Sequence, residues 1–309
     1  MKFAMVGLGK MGGNMVRRIY AESNHEVVVY DRDQAIVEQF VRVGATGAFS
    51  LEDMVRDLSG NGPRVVWIMV PAGDATQQTV KELAALLEPG DVIIDGGNSK
   101  WTDDRDRQVA LRASGIHYVD VGTSGGVWGL DNGYCMMVGG DDEAIGVVAP
   151  ILDALAPPSH EEHGPGWLHV GPTGTGHYVK MIHNGIEYGM MRALTEGFAL
   201  LDASEFDFDH AGIAHLWMQG SVIRSWLVEL MARAFEAEGN DLADLEPVVA
   251  ESGEGRWTVD ESIRLRVPAH VIAASLYARF ASQGRGDFAS KGEAALRNQF
   301  GGHAVTRQA

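Results

Sequence analysis

The chain has 309 residues, which fits about two domains, and its 25 basic and 42 acidic residues give a formal net charge of −17. So acidic a surface argues against general nucleic-acid or membrane-surface binding, and 45% hydrophobic with 22% charged residues excludes wholesale disorder. Cys135 is the sole cysteine, which precludes an intrachain disulfide and a cysteine-rich zinc centre and suits a reducing compartment.

The N-terminal run MKFAMVGLGKMGG breaks at Gly7, too early for a signal core or a membrane span. A soluble, cytoplasmic protein is therefore expected. Short runs rich in Val, Ile and aromatics predict strands at Phe3–Val6, Glu26–Tyr30, Val65–Val70, Asp91–Asp95 and His117–Val121. Amphipathic stretches between them predict helices at Gly12–Ser23, Gln34–Val43, Asp74–Leu87 and Arg105–Ala113. This alternation implies right-handed βαβ units and a parallel, doubly wound sheet of Rossmann type. The mixed run Asp103–Arg107 (DDRDR) reads as a solvated helix face. After the Gly/Pro-rich segment Gly164–Gly176 the pattern turns helical: Gly174–Ala203, His210–Ala237 and Pro268–Ala281. The expected organisation is an α/β dinucleotide-binding domain at 1–173 and an all-α domain at 174–309.

Gly7-Leu8-Gly9-Lys10-Met11-Gly12 is a GxGxxG that follows a strand and opens a helix. In that setting Gly7 permits the turn, Gly9 admits a pyrophosphate to the backbone, and Gly12 lets helix and strand pack closely. The helix N-terminus offers unpaired N–H groups to the anion. Asp31 stands at the end of the second strand, where a carboxylate bonds the adenosine ribose and repels a 2′-phosphate. Arg32, beside it, can instead accept that phosphate, so NAD is favoured and NADP stays open. The alternative reading of Asp31 is a turn former after a strand. Val70, at the end of the third strand, and Asn98, after the fourth, lie where strand ends of an open sheet point into the cofactor crevice, and both are candidate cofactor-binding residues. Asn98 can both donate to and accept from a polyhydroxy compound, or merely shape a turn. Ser124, Gly125 and Gly126, after the fifth strand, suit a carboxylate on the same terms.

The segment Gly174–Tyr188 places Lys180, His183, Asn184, Glu187 and Tyr188 within about 140° of a helix circumference. A lysine in a dry cleft is a competent base, and a glutamate about 10 Å along the axis is a separate acid. The alternative is a surface Lys/Glu pair too distant to bond. His160-Glu161-Glu162-His163 has the wrong order and spacing for a zinc helix and sits in a loop beside Pro157 and Pro158.

Taken together, GLGKMGGNM (7–15), DGGNS (95–99), SGG (124–126), GHYVKMIHNGIEYG (176–189), GRWT (255–258) and FGGH (300–303) closely resemble the decarboxylating 6-phosphogluconate dehydrogenases. The glycine loop and the lysine helix are shared with wider β-hydroxyacid dehydrogenases, including those acting on 3-hydroxyisobutyrate. The His-Asn…Glu-Tyr extension and the C-terminal arginine and histidine are more particular. The resemblance implies metal-free oxidative decarboxylation of 6-phosphogluconate in the pentose phosphate pathway. It implies Lys180 as the base at the C3 hydroxyl, Glu187 as the acid, and His183 and Asn184 as orienting groups. Asn98, Ser124, Gly125 and Gly126 would hold the carboxylate and hydroxyls; Tyr188, Arg279, Arg297 and His303 match the family's phosphate positions. The longer members carry a duplicated helical domain, and this chain resembles the short class associated with NAD. The resemblance further implies a homo-oligomer, dimer or tetramer, whose tail, with Arg297 and His303, enters a neighbouring site. Where the family carries a lysine and a threonine before GRWT, this chain has Ser252 and Glu254. A cofactor-binding regulatory protein without turnover would show a degraded version of the lysine helix, whereas Lys180, Asn184 and Glu187 are all intact.

Overall fold

The computed structural model describes residues 1–60, 62–301 and 304. The chain divides into two compact units, Met1–Met181 and Ile182–Ala309. In unit 1 the elements run β1 (Lys2–Val6), α1 (Lys10–Glu22), β2 (Glu26–Tyr30), α2 (Gln34–Val41), β3 (Thr46–Gly47), α3 (Leu51–Asp57), β4 (Val65–Ile68) and α4 (Asp74–Ala84). They continue with β5 (Val92–Asp95), α5 (Trp101–Arg112), β6 (His117–Ser124), a 3₁₀ turn at Gly126–Trp128 and α6 (Gly129–Asn132). β7 (Cys135–Gly139), α7 (Asp142–Leu155) and β8 (Trp167–Gly171) complete the sheet. α8 (Thr175–Asp202) starts in unit 1 and continues into unit 2.

The strand order is β3-β2-β1-β4-β5-β6-β7-β8. Pairing is parallel from β3 to β6, antiparallel between β6 and β7, and parallel again between β7 and β8. Chain order reverses between β1 and β4, which makes the crevice beyond their C-terminal ends the ligand side of this Rossmann-type sheet. Side chains alternate faces along each central strand. Phe3, Met5, Val65, Trp67, Val92 and Ile94 join one core cluster with α1 and α7, while Ala4, Val6, Val66, Ile68 and Ile93 join another with α3 and α4. Each large side chain so buried contributes roughly 1.5–3 kcal/mol. Helix starts are capped locally: Asp33 accepts from Ala35 N–H and Ser50 from Asp53 N–H.

The five expected strands are present. The third is shorter than expected, ending at Ile68, so Val70 belongs to the following loop. β7, β8, α3 and α7 were not anticipated. β8 is only half-buried, so it shows no clean alternation, and α7 carries Pro150, which obscures its period.

Unit 2 holds the rest of α8 and then α9 (His210–Met218), α10 (Trp226–Glu238), α11 (Glu254–Leu265), α12 (His270–Ser282) and α13 (Asp287–Gly301). Phe198, Ala214, Val228, Ala232 and Phe235 form its core cluster. The expected helix His210–Ala237 is two helices. Gly220 takes φ +78°, and Ser225 caps a new start by accepting from Val228 N–H. Among the described residues no helix is long and apolar enough to cross a membrane.

Candidate active site

The β1–α1 turn is built by glycines with separate tasks. Gly7 has φ +92°, and a Cβ there would stand 2.5 Å from the Met69 carbonyl oxygen. A Cβ on Gly12 would overlap the Gly7 carbonyl oxygen, so helix and turn close on each other only without a side chain. Gly9 differs: a Cβ there meets nothing within 4 Å, so packing does not require this glycine. It is the N-cap of α1, makes no side-chain cap hydrogen bond, and precedes a first turn without an acidic residue. An open cradle of backbone N–H groups at a positive helix end fits a dinucleotide's pyrophosphate. Lys10 is exposed beside it, and Met11 is half-buried against the core.

Asp31 follows β2 directly and is half-buried. Its carboxylate accepts from Leu8 N–H at 2.7 Å and Asp33 N–H at 2.9 Å, so it braces the glycine turn. Arg32 is exposed. Val70 is half-buried, and Asn98 is exposed on the β5–α5 loop. Asp95 organises that loop from inside by accepting from Gly97 N–H at 3.0 Å and Ser99 O–H at 2.7 Å. At the end of β6, Ser124 lies in register with Cys135, and Gly125 and Gly126 take φ +132° and +53°.

Lys180 is 8% exposed. It sits against β6 where Gly122 leaves room: a Cβ on Gly122 would overlap the Cβ of Lys180. One turn earlier a Cβ on Gly176 would stand 2.5 Å from the carbonyl oxygens of Asp120 and Met137. Asp120, on β6, accepts from Gly174 N–H at 2.6 Å and His177 N–H at 2.9 Å, so a strand carboxylate caps α8. Burial pushes the Asp120 carboxyl up to about 6, opposed by the charge of His177.

A buried ionic cluster lies under this region, and the sequence reading missed it. Asp104 and Arg107 are fully buried rather than part of a solvated face; only Arg105 and Asp106 of the DDRDR run are exposed. Arg107 donates to Asp95 at 3.2 Å and Asp104 at 3.4 Å, and Tyr118 O–H lies 2.9 Å and 3.2 Å from the same two carboxylates. The i,i+3 spacing of Asp104 and Arg107 was the legible signal. Asp95, Asp104 and His177 have metal-ligand spacing, but the guanidinium and the phenol fill the space between the carboxylates. His160, Glu162 and His163 also cluster; they are exposed, in a turn closed by the His160–Gly164 bridge.

In unit 2, His183 Nδ1 lies 3.0 Å from Asn184 Oδ1 and 3.8 Å from Glu187 Oε2. Both neighbours can accept a hydrogen bond from that ring nitrogen. Asn184 is buried, and the His183 and Glu187 side chains are half-exposed. Tyr188 is buried, its hydroxyl lies 3.4 Å from Ser252 Oγ, and the Arg279 guanidinium stacks 3.5 Å over its ring. Glu254 is 1% exposed; it accepts from Ser252 O–H at 2.6 Å through one oxygen, and its other oxygen has no hydrogen-bond partner among the described residues. Arg256 pairs with Glu251. Arg297 is exposed on α13, and His303 lies outside the described residues.

Residues 2–164 match the family model of the NAD binding domain of 6-phosphogluconate dehydrogenase, and residues 176–300 match that of the 6-phosphogluconate dehydrogenase C-terminal domain. The chain is 42% identical over 308 residues to the NAD(+)-dependent, decarboxylating 6-phosphogluconate dehydrogenase of Haloferax volcanii, covering 100% of this chain and 99% of that one. The Plasmodium falciparum 6-phosphogluconate dehydrogenase, solved with NADP+ and with 6-phosphogluconate, is similar at TM-score 0.83 and 25% identity, over 100% of this chain and 66% of that one. A Mycobacterium tuberculosis 3-hydroxyisobutyrate dehydrogenase shares the fold at TM-score 0.69 and 20% identity, over 93% and 94% of the two chains. Glycine cradle, lysine helix and both domain matches agree: the chain belongs to the 6-phosphogluconate dehydrogenase family.

Proposed function

We propose that this protein oxidatively decarboxylates 6-phosphogluconate to ribulose 5-phosphate and CO2 with NAD, as a cytoplasmic homo-oligomer serving the pentose phosphate pathway. The observation that carries the reading is Lys180, buried against Gly122 on a helix whose next two turns bear His183, Asn184 and Glu187. Family membership and the Haloferax volcanii relative support the substrate and the cofactor.

The Gly7–Gly12 turn and Asp31 would hold the dinucleotide, which supplies the hydride acceptor when bound. Lys180 takes the proton of the C3 hydroxyl as that carbon is oxidised to a ketone. The C1–C2 bond then breaks, CO2 departs, and the electron pair moves toward the ketone. Protonated Lys180 donates to the developing enolate oxygen. Glu187 delivers a proton to the former C2, which becomes C1 of the product. His183 and Asn184 orient the C3 oxygen. Asn98, Ser124, Gly125 and Gly126 bind the carboxylate and hydroxyls. Tyr188, Arg279, Arg297 and His303 bind the phosphate, the last two from the tail of a neighbouring subunit.

Initial rates with 6-phosphogluconate, gluconate and 3-hydroxyisobutyrate, each with NAD and NADP, test this. The expected result is that kcat/KM for 6-phosphogluconate with NAD exceeds every other pair by at least about tenfold, near 1.4 kcal/mol. Faster turnover of 3-hydroxyisobutyrate would make the protein a small β-hydroxyacid dehydrogenase, and NAD binding without turnover would make it a regulatory protein. Asp31→Asn keeps an acceptor for Leu8 N–H but removes the charge that repels a 2′-phosphate. The NAD-to-NADP ratio of kcat/KM is expected to fall about 10- to 100-fold, the range of one charge-assisted hydrogen bond. An unchanged ratio would remove Asp31 from cofactor selection.

A further inference from the structure

We propose that His177 is a positioning residue for the reaction: it clamps the loop bearing Asn98 to the helix bearing Lys180, and so sets the spacing between them. The proposal rests on the reading of Lys180 as base and Asn98 as substrate ligand. It concerns unit 1 alone, since all the groups involved lie before residue 182.

The ring is 2% exposed. Nδ1 lies 2.7 Å from Asp104 Oδ2 and Nε2 lies 3.0 Å from the Gly97 carbonyl oxygen. A carbonyl accepts only, and so does an ionised carboxylate; facing both, the ring donates from both nitrogens and is an imidazolium. Burial alone would disfavour that charge, but Asp104, Asp95 and Asp120 outweigh it and hold the ring up to about 10, so it stays charged throughout neutral pH. Arg107 and Tyr118 satisfy the carboxylate oxygens on the far side, leaving two cations against three acids in the buried cluster.

The geometry links three places. Gly97 immediately precedes Asn98, and Asp95 already holds the Gly97 N–H, so the loop is gripped at the N–H by β5 and at the carbonyl by α8. His177 lies one turn before Lys180 at i,i+3, on the same side of α8. Its backbone N–H bonds Asp120, so the helix turn that carries the ring is held to β6 as well. A shift of about 1 Å between groups that address one substrate costs up to about 10²-fold in rate.

The test uses the full-length protein with His177→Gln and Asp104→Asn. Glutamine offers donors from one nitrogen and cannot span two acceptors on opposite sides. Asparagine at 104 keeps an acceptor but removes the charge that holds the second ring proton. In wild type, ¹⁵N-histidine NMR should show both His177 ring nitrogens protonated at neutral pH, with one proton lost in Asp104→Asn. Both variants should lower kcat at saturating substrates about 10- to 100-fold per folded enzyme, with faster amide exchange at residues 97–99. Reduced stability with kcat per folded enzyme retained would mean simple packing and overturn the proposal, as would a singly protonated ring in wild type. If wild type turned over no 3-hydroxy acid, the functional reading would fail, while ring protonation and loop exchange would still decide the clamp.

Discussion

Lys180→Met is expected to lower kcat by at least about 10³-fold, toward the upper end of what a positioned general base contributes. Methionine keeps the unbranched apolar stem that lies against Gly122, so the packing of α8 on β6 is retained and only the amine is lost. The same nitrogen is asked to act twice, first as base at the C3 hydroxyl and then as cationic donor to the enolate, so one substitution removes both contributions. The glycine turn and Asp31 do not include Lys180, and NAD should bind with an unchanged Kd, measured by titration. Lys180→Arg is expected to fail nearly as badly, because a guanidinium cannot lose its proton in this range. Turnover within about tenfold of wild type in Lys180→Met would exclude it as the base.

Gly122→Val should produce a smaller but still large loss by a different route. Even a Cβ at position 122 overlaps the Cβ of Lys180 and stands 2.8 Å from the Gly176 carbonyl oxygen. Neither is the far end of a flexible chain; one is the root of a side chain and the other is helix backbone. β6 and α8 must therefore separate, and overpacking of this kind costs about 1–3 kcal/mol or more. Lys180 moves with the helix, so kcat should fall by about 10²-fold beyond the loss of folded protein. The contrast is Gly146→Ala on α7, where a Cβ meets nothing within 4 Å. That change should leave kcat unchanged and stabilise by roughly 0.5–1 kcal/mol through helix propensity. Denaturant unfolding and kcat per folded enzyme check both. Normal turnover in Gly122→Val would mean that the close seat of Lys180 on β6 is not needed.

The legible parts of the fold were those with local signals. β2 is a run of valines bounded by turn formers, and its bounds match the expected Glu26–Tyr30. The glycine turn was readable because φ at Gly7 and the Gly12 overlap are local requirements, and α8 because twenty-eight residues hold one period without a proline. α11 was missed because it opens on Glu254 and Gly255, poor company for a helix start, and its apolar positions are few. β7 was missed because a five-residue run leaving Cys135 and Met137 unburied looks like a loop until Ser124 and Val121 pair with it.

The buried cluster was hidden for a deeper reason. Charge is buried only when its partners are present, and Asp104 meets His177 from 73 residues away. Read locally, DDRDR resembles any solvated helix; Asp95 and Tyr118, supplied by the sheet, turn two of its five residues inward. Glu254 shows the same limit. From the sequence it stood only as a departure from the family's pattern before GRWT, whereas its carboxylate is buried and bonded by Ser252.

The most direct test of the central claim follows the fate of one carbon. The protein is given 6-phosphogluconate labelled with ¹⁴C at C1, together with NAD, and released CO2 is counted against NADH formed. The expected result is one labelled CO2 per NADH, with ribulose 5-phosphate as the remaining product. NADH formed without labelled CO2, or no NADH under conditions where an authentic family enzyme works, would contradict it.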